Sequence, residues 1–253
     1  MPARFGGMRK LLVTSILTAL VLAGCVPTSG SDAAEIPAPT QIAPTATVRA
    51  FDKTARSIDT ASSLWVVANK LRRLNPVKFA PTDLVTVVKP WGTNGTQQLR
   101  SPAAAQYKIM VAAAKADGIT LVAQSGYRSY GVQVSVYNSW VNRLGVTQAN
   151  LQSAKPGHSE HQTGWSIDIA GVNGCTIAQC FAHTPEGEWL NTNAWKYGFH
   201  LRYPRNKKST TGYMFEPWHY RFVGLALAKE LHKTPDITLE KFFNLPAAPD
   251  YAN

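Results

Sequence analysis

Apolar and polar residues alternate between Gly164 and Ala170. Successive side chains of a β-strand point to opposite faces. The pattern therefore predicts a strand with Trp165, Ile167 and Ile169 on one apolar face. Asp168 would lie on the opposite face, so the strand presents a carboxylate there.

Helices and strands are mixed along the rest of the folded part. Ser101-Pro102 opens an Ala-rich stretch that Gly118 closes, which predicts a helix with Ser101 as its N-cap. Gly145 is placed to end a second helix, and Thr184 to cap a third. The predicted helices are 101–118, 130–144, 184–198 and 223–232, and the predicted strands are 119–123, 164–170, 199–203 and 218–222. The order favours an α+β fold, a small mostly antiparallel sheet flanked by helices, over a doubly wound sheet.

The N-terminal residues have a different pattern. Basic residues precede an unbroken apolar run, Leu11–Leu22, which is the layout of a secretory signal. The run is shorter than the roughly 20 residues that a membrane span needs, although a spanning anchor helix stays open as the alternative. Leu22-Ala23-Gly24-Cys25 resembles the lipobox of bacterial lipoproteins. The resemblance implies a signal peptide over 1–24 and a lipid anchor at Cys25.

Residues 25–60 are rich in Pro, Ala, Thr and Ser and poor in bulky apolar side chains. Such a segment cannot bury enough surface to offset the entropy lost when its backbone is ordered. We predict a disordered tether here, then one compact domain over 61–245 and a C-terminal tail over 246–253.

The formal net charge is +11, and removal of Arg4, Arg9 and Lys10 with the signal leaves about +8. No segment combines clustered basic residues with interleaved aromatic residues, so nucleic acid is not an expected partner. Anionic lipid headgroups and wall polymers are the expected counterparts, unless the charge serves solubility alone.

Three cysteines leave one unpaired unless Cys25 carries a lipid. Cys175 and Cys180 are then an even pair, and their spacing permits a small disulfide-closed loop in an oxidising compartment. A cysteine metal site is the alternative, but two thiols without a second pair are weak support for one.

Three segments hold polar residues that purely structural roles explain poorly. In 159–168, a histidine in a glycine-containing loop precedes the aspartate of the predicted strand. In 216–221, a carboxylate lies three residues before a histidine. In 125–129, an arginine directly follows a strand. A lone histidine is usually a surface residue, but together the segments supply two imidazoles and one carboxylate, the three-ligand set of a catalytic zinc site.

Such a site needs a general base near the zinc-bound water, whose pKa falls towards about 7. Glu216 is the natural candidate. Pro217 argues against a helix through Glu216 and His219, so this is not the helical His-Glu-x-x-His arrangement. Residues three apart on a regular strand face opposite ways. Glu216 must therefore lie in the turn that enters the strand, or beside a bulge, to reach the ion that His219 binds.

These segments resemble those of the VanY-type D-alanyl-D-alanine carboxypeptidases, zinc peptidases related to the VanX dipeptidases and the L,D-carboxypeptidases. The family's Ser-x-His-x-x-Gly-x-Ala-x-Asp signature matches 159–168, and its Glu-x-x-His matches 216–219. Its Ser-Gly-Tyr-Arg-Ser-Tyr-x-x-Gln is similar to 125–133. One departure is Ser166, where the signature has alanine. We expect it to alter packing or substrate preference rather than to abolish zinc binding.

The resemblance implies a role for each of these side chains. His161, Asp168 and His219 would hold one zinc ion per chain. Glu216 would activate a water molecule and pass its proton to the leaving amine. Arg128 would stabilise the oxyanion, unless it forms a surface salt bridge. The residues expected to hold the substrate's terminal carboxylate and backbone are Ser125, Tyr127, Gln133 and Ser159.

The sequence therefore predicts a zinc peptidase that hydrolyses the terminal D-Ala-D-Ala bond of peptidoglycan stem peptides. It would be a monomer, anchored by lipid at the extracytoplasmic face of a bacterial cell membrane. An L,D-carboxypeptidase or a cross-link endopeptidase would use the same site, and a wall-binding module would keep only the zinc. A structural zinc is normally closed by four protein ligands and has no use for Glu216.

Overall fold

A computed structural model of the protein describes residues 50–87, 96–172 and 174–252. The predicted signal peptide, Cys25 and the predicted tether up to residue 49 lie outside these residues. Among the described residues, no helix combines the length and the apolar composition that crossing a membrane requires.

Four antiparallel strands form the central sheet, in the order β3 (Val122–Ser125), β4 (Ser166–Ala170), β6 (His219–Phe222) and β5 (Phe199–Leu201). A separate two-stranded sheet pairs β1 (Leu84–Thr86) with β2 (Gln98–Arg100). The α-helices are α1 (Ser101–Ala116), α2 (Tyr130–Gln152), α3 (Pro185–Asn193), α4 (Lys208–Thr211), α5 (Leu225–His232) and α6 (Leu239–Phe242). The predicted α+β fold with a small antiparallel sheet is confirmed.

The two faces of β4 separate the core from the polar side of the sheet. Ile167 and Ile169 are fully buried in the main hydrophobic cluster together with Trp165. Burial of one such aliphatic side chain contributes about 1.5–3 kcal/mol to folding. Asp168 lies on the other face, as the alternation predicts. A one-residue slip would carry Asp168 into the core, so this burial pattern specifies the register.

Two of the predicted helices differ from the observed ones at a cap or an end, and a third has the predicted cap but gives way to a 3₁₀-helix, Ala194–Tyr197, before Gly198. Arg100, not Ser101, is the N-cap of α1, and no side chain caps it. Gly145, with φ 74°, ends the first part of α2 as predicted, but helix resumes and continues to Gln152. Thr184 does cap α3, since its Oγ1 accepts a hydrogen bond from the Gly187 N–H at 3.1 Å.

The strand predicted over 119–123 begins later, at Val122, and continues to Ser125. The reason lies at the end of α1, where the Ile119 N–H donates to the Ala114 carbonyl at 2.8 Å. Ile119 therefore closes the helix by satisfying one of its last carbonyl groups. The aliphatic run alone does not show whether Ile119 belongs to the strand or to the end of helix α1.

The packed domain extends beyond both predicted boundaries. Phe51, from the predicted tether, packs on Trp65 and Phe242 with ring centroids 5.6 and 5.9 Å away. Ala248, from the predicted tail, is fully buried, and its N–H donates to the Thr210 carbonyl at 2.8 Å. Residues 51–60 and 246–252 therefore belong to the folded part. Each segment is mostly polar, but a few apolar side chains, such as Phe51 and Ala248, bury apolar surface against the domain.

Cys175 and Cys180 are joined by a disulfide, with their Cα atoms 5.9 Å apart. The bond closes a short loop between β4 and α3. Ile177, inside this loop, lines the cavity that contains the candidate site.

Candidate metal centre

Two paired strands and one short helix bring the three predicted ligands together. Asp168 on β4 lies directly across from His219 on β6. His161 lies in a 3₁₀-helix, Glu160–Thr163, that precedes β4. Asp168 Oδ2 is 3.3 Å from His161 Nε2, and Asp168 Oδ1 is 3.2 Å from His219 Nδ1. The three ligand atoms all lie within 4.8 Å of one another.

Glu216 lies in the turn that enters β6, as its spacing from His219 requires. The His219 N–H donates to the Glu216 carbonyl at 3.1 Å, which closes a four-residue turn through Pro217. A second hydrogen bond, from the Glu216 N–H to the Tyr203 carbonyl at 3.1 Å, fixes the start of this turn. The Glu216 carboxylate then reaches back, so that its Oε2 lies 3.5 Å from His219 Nδ1.

Arg128 follows β3 and closes the other side of the cavity. Its N–H donates to the His161 carbonyl at 3.2 Å, so the two site segments are bonded to each other. Its Nε is a buried donor without a hydrogen-bond partner. Burial lowers the pKa of the guanidinium, while the nearby charges of Asp168 and Glu216 act in the opposite direction. An arginine remains charged in such a setting.

A glycine makes this close arrangement of loops possible. A Cβ atom at Gly126 would lie 2.3 Å from the Gln98 carbonyl oxygen, so no larger residue fits there without a backbone shift. The Gly126 carbonyl in turn lies 2.7 Å from His161 Nδ1. A carbonyl oxygen can only accept, so Nδ1 carries the proton and Nε2 is the free nitrogen that faces Asp168.

Burial and neighbouring charges shift the pKa values of the central groups. Burial raises the pKa of Asp168, but the imidazoles of His161 and His219 outweigh it and hold that pKa well below its usual range. Burial lowers the pKa of His219, but its contacts with Asp168 and Glu160 outweigh this and raise it to about 9. Asp168 therefore favours positive charge where the ligand atoms meet, and Glu160 favours it at the opposite nitrogen of His219.

Burial also raises the pKa of Glu216, to about 7, and this effect is opposed by His219 and Arg128. A carboxylate with a pKa near the working pH is suited to take up and release protons. Glu216 thus differs from Asp168, which stays ionised.

A family model described as VanY, D-alanyl-D-alanine carboxypeptidase, matches residues 96–225. YodJ of Bacillus subtilis (strain 168), which is named as a carboxypeptidase, is 39% identical over 191 residues, covering 74% of this chain and 69% of YodJ. The chain belongs to the VanY family. The matched range contains all five side chains of the site.

Two solved structures have a fold similar to that of this chain. The LdcB LD-carboxypeptidase is 39% identical with a TM-score of 0.68, over 73% of this chain and 87% of LdcB. A VanY D,D-pentapeptidase from a VanB-type resistance cassette, a mutant in complex with Zn(II), is 26% identical with a TM-score of 0.57, over 73% of this chain and 99% of that one.

The residues of this VanY-family site fit a zinc ion. His161 Nε2 and Asp168 Oδ1 are buried atoms without a hydrogen-bond partner, although buried polar atoms are nearly always paired. Two imidazole nitrogens and one carboxylate are a recurrent catalytic zinc set that leaves a fourth position open. These three side chains would hold the ion, and Glu216 Oε2 lies 3.5 Å from one of the ligand atoms, His219 Nδ1.

The four predicted substrate-binding residues divide into two groups. Ser159 lines the cavity beside His161. Ser125, Tyr127 and Gln133 lie outside its lining. Gln133 is fully buried, and its Nε2 donates to Ser153 Oγ at 3.1 Å and to the Ala154 carbonyl at 2.8 Å. Gln133 therefore supports two residues of the cavity wall, and its direct contact with substrate remains a prediction.

Sequence reasoning missed several residues of the cavity. Tyr203, Tyr213 and Trp218 line it, and Trp218 also packs against the main hydrophobic cluster. Tyr220, the other aromatic neighbour of His219, is buried in that cluster. Aromatic side chains next to a catalytic motif suit either place, so the sequence offers no signal that separates them.

Glu160 was also missed, and it connects the site to a buried network of charges. Its Oε1 accepts from Arg202 Nε at 2.9 Å and lies 3.2 Å from Arg221 Nη1. Arg202 also forms a two-pronged pair with Glu240, at 2.9 and 2.6 Å. Ser166, the departure from the family signature, donates to Glu160 Oε2 at 3.2 Å. Ser166 thus adds a donor to this network and leaves Asp168 in place.

Proposed function

We propose that the protein is a zinc-dependent carboxypeptidase that shortens peptidoglycan stem peptides. The observation that supports this most strongly is the convergence of His161, Asp168 and His219 within 4.8 Å, in a cavity that Glu216 and Arg128 also line. A structural zinc site would not need an unbonded arginine and a carboxylate of raised pKa beside its ligands.

The residues divide the chemistry of peptide hydrolysis among themselves. His161, Asp168 and His219 would hold the ion, and zinc, when bound, lowers the pKa of its water and polarises a carbonyl oxygen. Glu216, near His219 Nδ1, is placed to accept the proton of the attacking water and to deliver it to the leaving amine. Arg128 lines the cavity and has a buried N–H donor without a partner, so its guanidinium would stabilise the oxyanion of the tetrahedral intermediate.

We infer the terminal D-Ala-D-Ala bond of a pentapeptide stem as the preferred substrate. The family description and the likeness to a D,D-pentapeptidase support this choice. A second candidate is the L,D bond at the end of a tetrapeptide stem, supported by the likeness to LdcB at higher identity. Both reactions release one terminal residue and use the same ligands and base.

Mass spectrometry of stem peptides after digestion separates these activities. The purified protein is incubated with pentapeptide and tetrapeptide stems, with zinc, after chelation and after zinc is restored. Conversion of pentapeptide to tetrapeptide indicates D,D activity, and conversion of tetrapeptide to tripeptide indicates L,D activity. Circular dichroism of each sample shows whether the protein is still folded. Zinc-loaded, folded protein that leaves both stems intact would contradict the proposal, and unfolding on chelation would favour a structural zinc.

We also propose that a lipid at Cys25 anchors the protein, as a monomer, at the outer face of the cytoplasmic membrane. The support is the sequence around Cys25. Metabolic labelling with a radioactive fatty acid should mark the wild-type protein in the membrane fraction, whereas Cys25→Ser should be unlabelled. Labelling of both proteins would contradict the anchor at this residue. Analytical ultracentrifugation of the detergent-solubilised protein measures its mass and so tests whether it is a monomer.

A further inference from the structure

The two imidazoles of the site face the ligand position with different nitrogens. His161 presents Nε2, because its Nδ1 lies 2.7 Å from the Gly126 carbonyl. His219 presents Nδ1, which lies 3.2 Å from Asp168 Oδ1 and 3.5 Å from Glu216 Oε2. The opposite nitrogen of His219, Nε2, lies 3.8 Å from Glu160 Oε2. Glu160 thus stands behind His219 as the Gly126 carbonyl stands behind His161.

The Glu160 carboxylate is held in a fixed orientation. Its Oε1 is occupied by the two arginines, Arg202 and Arg221, at 2.9 and 3.2 Å. Its Oε2 receives the Ser166 hydroxyl at 3.2 Å and faces His219. Glu160, Arg202 and Arg221 have almost no exposed surface. The pairing with Arg202 and Arg221 keeps the pKa of Glu160 well below its usual range, despite the opposing effect of burial.

We propose that Glu160 is a positioning residue that selects the tautomer of His219. A carboxylate facing Nε2 favours the proton on Nε2 and so leaves the Nδ1 lone pair available to a metal ion. The inference rests on the zinc site proposed above. The present distance is about 0.6 Å beyond an ordinary N–H···O bond, so the proposal includes a small rotation of the ring towards Glu160.

The other neighbours of His219 restrict its ring without choosing a tautomer. The Tyr203 ring lies 4.8 Å away and the His161 ring 4.9 Å away, centroid to centroid. These aromatic faces offer no strong acceptor to Nε2. The carboxylates of Asp168 and Glu216 both face Nδ1, where they would favour a proton at the wrong nitrogen. Glu160 is the carboxylate among the described residues that opposes this preference.

Substitution of Glu160 by glutamine tests this role with little change of shape. Because Arg202 Nε donates to the Oε1 position and the charged Arg221 Nη1 lies 3.2 Å from it, the amide oxygen has to lie there. The amide nitrogen then points towards Nε2, where a donor would meet a donor. His219 should therefore shift its proton to Nδ1 and lose its ligand atom. We expect zinc affinity to fall about 10- to 100-fold.

Glu240→Gln is the matched control. Glu240 is also fully buried and also pairs with Arg202, but it is not among the residues that contact His219 or line the cavity. Both variants therefore weaken the same buried ion-pair network. Zinc affinity is measured by competition with a chromophoric chelator, and folding by circular dichroism. Equal zinc affinities in Glu160→Gln and Glu240→Gln would overturn the inference.

A second measurement does not depend on whether the variant folds. Long-range proton–nitrogen NMR spectra of the zinc-loaded wild-type protein distinguish the two ring nitrogens of each histidine. In His219 we expect the proton on Nε2 and the metal on Nδ1. In His161 we expect the proton on Nδ1 and the metal on Nε2. Zinc on Nε2 of His219 would refute the role of Glu160. A wild-type protein that binds no zinc would instead remove the proposed function.

Discussion

The floor and the rim of the cleft are held in place by different means. We define the floor as His161, Asp168, Glu216 and His219, and the rim as residues 153–159 together with Tyr213. Paired strands and fully buried ion pairs support the floor. The rim is held by separate contacts from distant segments. Gln133 Nε2 donates to Ser153 Oγ and to the Ala154 carbonyl, and the Leu74 N–H donates to the Gly157 carbonyl at 2.8 Å. Tyr251 links residues 153–159 to Tyr213, because its Oη accepts from the Lys155 N–H at 2.7 Å and lies 3.4 Å from Tyr213 Oη.

This difference assigns different tasks to the two regions. The floor is tied to the sheet register, so its geometry changes only if the strands separate. In the rim, the link between residues 153–159 and Tyr213 runs through the Tyr251 side chain, and this link can break without separating paired strands. Substitutions in the floor should therefore reduce turnover, whereas substitutions that loosen the rim should raise KM.

Glu216→Gln is expected to give the largest effect. The amide cannot accept the proton of the attacking water, so kcat should fall by about 10²- to 10⁴-fold. Zinc content, measured by atomic emission, should remain at the wild-type value because the three ligands are unchanged. Undiminished kcat in the zinc-loaded variant would remove Glu216 from the mechanism.

Arg128→Ala should give the second-largest effect. We expect kcat to fall about 10²- to 10³-fold, because one preorganised donor to the oxyanion is removed. Arg128→Lys keeps the positive charge but not the fixed direction of the guanidinium, and should recover part of the loss. Steady-state kinetics on the same stem peptide measures both variants. A change confined to KM would show that Arg128 binds the ground state instead.

The activity should decrease in acid as Glu216 becomes protonated. Burial raises its pKa to about 7, and a bound dication would lower it again towards the usual glutamate value of about 4.3. A general base must be deprotonated, so kcat/KM should fall about tenfold for each pH unit below the pKa that Glu216 has in the zinc-loaded protein. Zinc content is measured at each pH, since protonated histidines would release the ion. Activity that rises on acidification would contradict this role.

The sequence predicts the side chains of the floor better than the buried network behind them or the rim, for a physical reason. The alternation in 164–170 reports which face of β4 is buried, and the spacing of Glu216 and His219 constrains the turn between them. Both are local patterns. The partners of Glu160 lie 42 residues away at Arg202 and further still at Arg221. Tyr251 meets Lys155 across 96 residues, and no local pattern encodes such contacts.

Tyr251→Ala should affect the rim alone. Loss of the ring removes the hydrogen bond to Lys155 and the packing against His158, whose ring centroid is 5.1 Å away. We expect KM to rise several-fold while kcat stays within about twofold. Tyr251→Phe keeps the ring and should give a smaller increase. A proportional loss of kcat in Tyr251→Ala would show that rim and floor are not separable.

Ser166→Ala is expected to give the smallest effect on activity, although Ser166 lies within the floor's support. The change removes one donor to Glu160 Oε2, and a hydrogen bond to a charged group is worth about 1.5–3 kcal/mol. Both arginines remain on Oε1, so the loss in free energy of unfolding should lie at the lower end of this range. Urea unfolding measures this loss, with Ser135→Ala, at an exposed serine of α2, as the control.

The value of kcat/KM should stay within about twofold in Ser166→Ala, because the two arginines still hold the Glu160 carboxylate behind His219. A larger fall in activity at unchanged stability would mean that the hydroxyl itself orients Glu160, and the floor would then depend on a single side-chain contact, as the link between Tyr213 and residues 153–159 does.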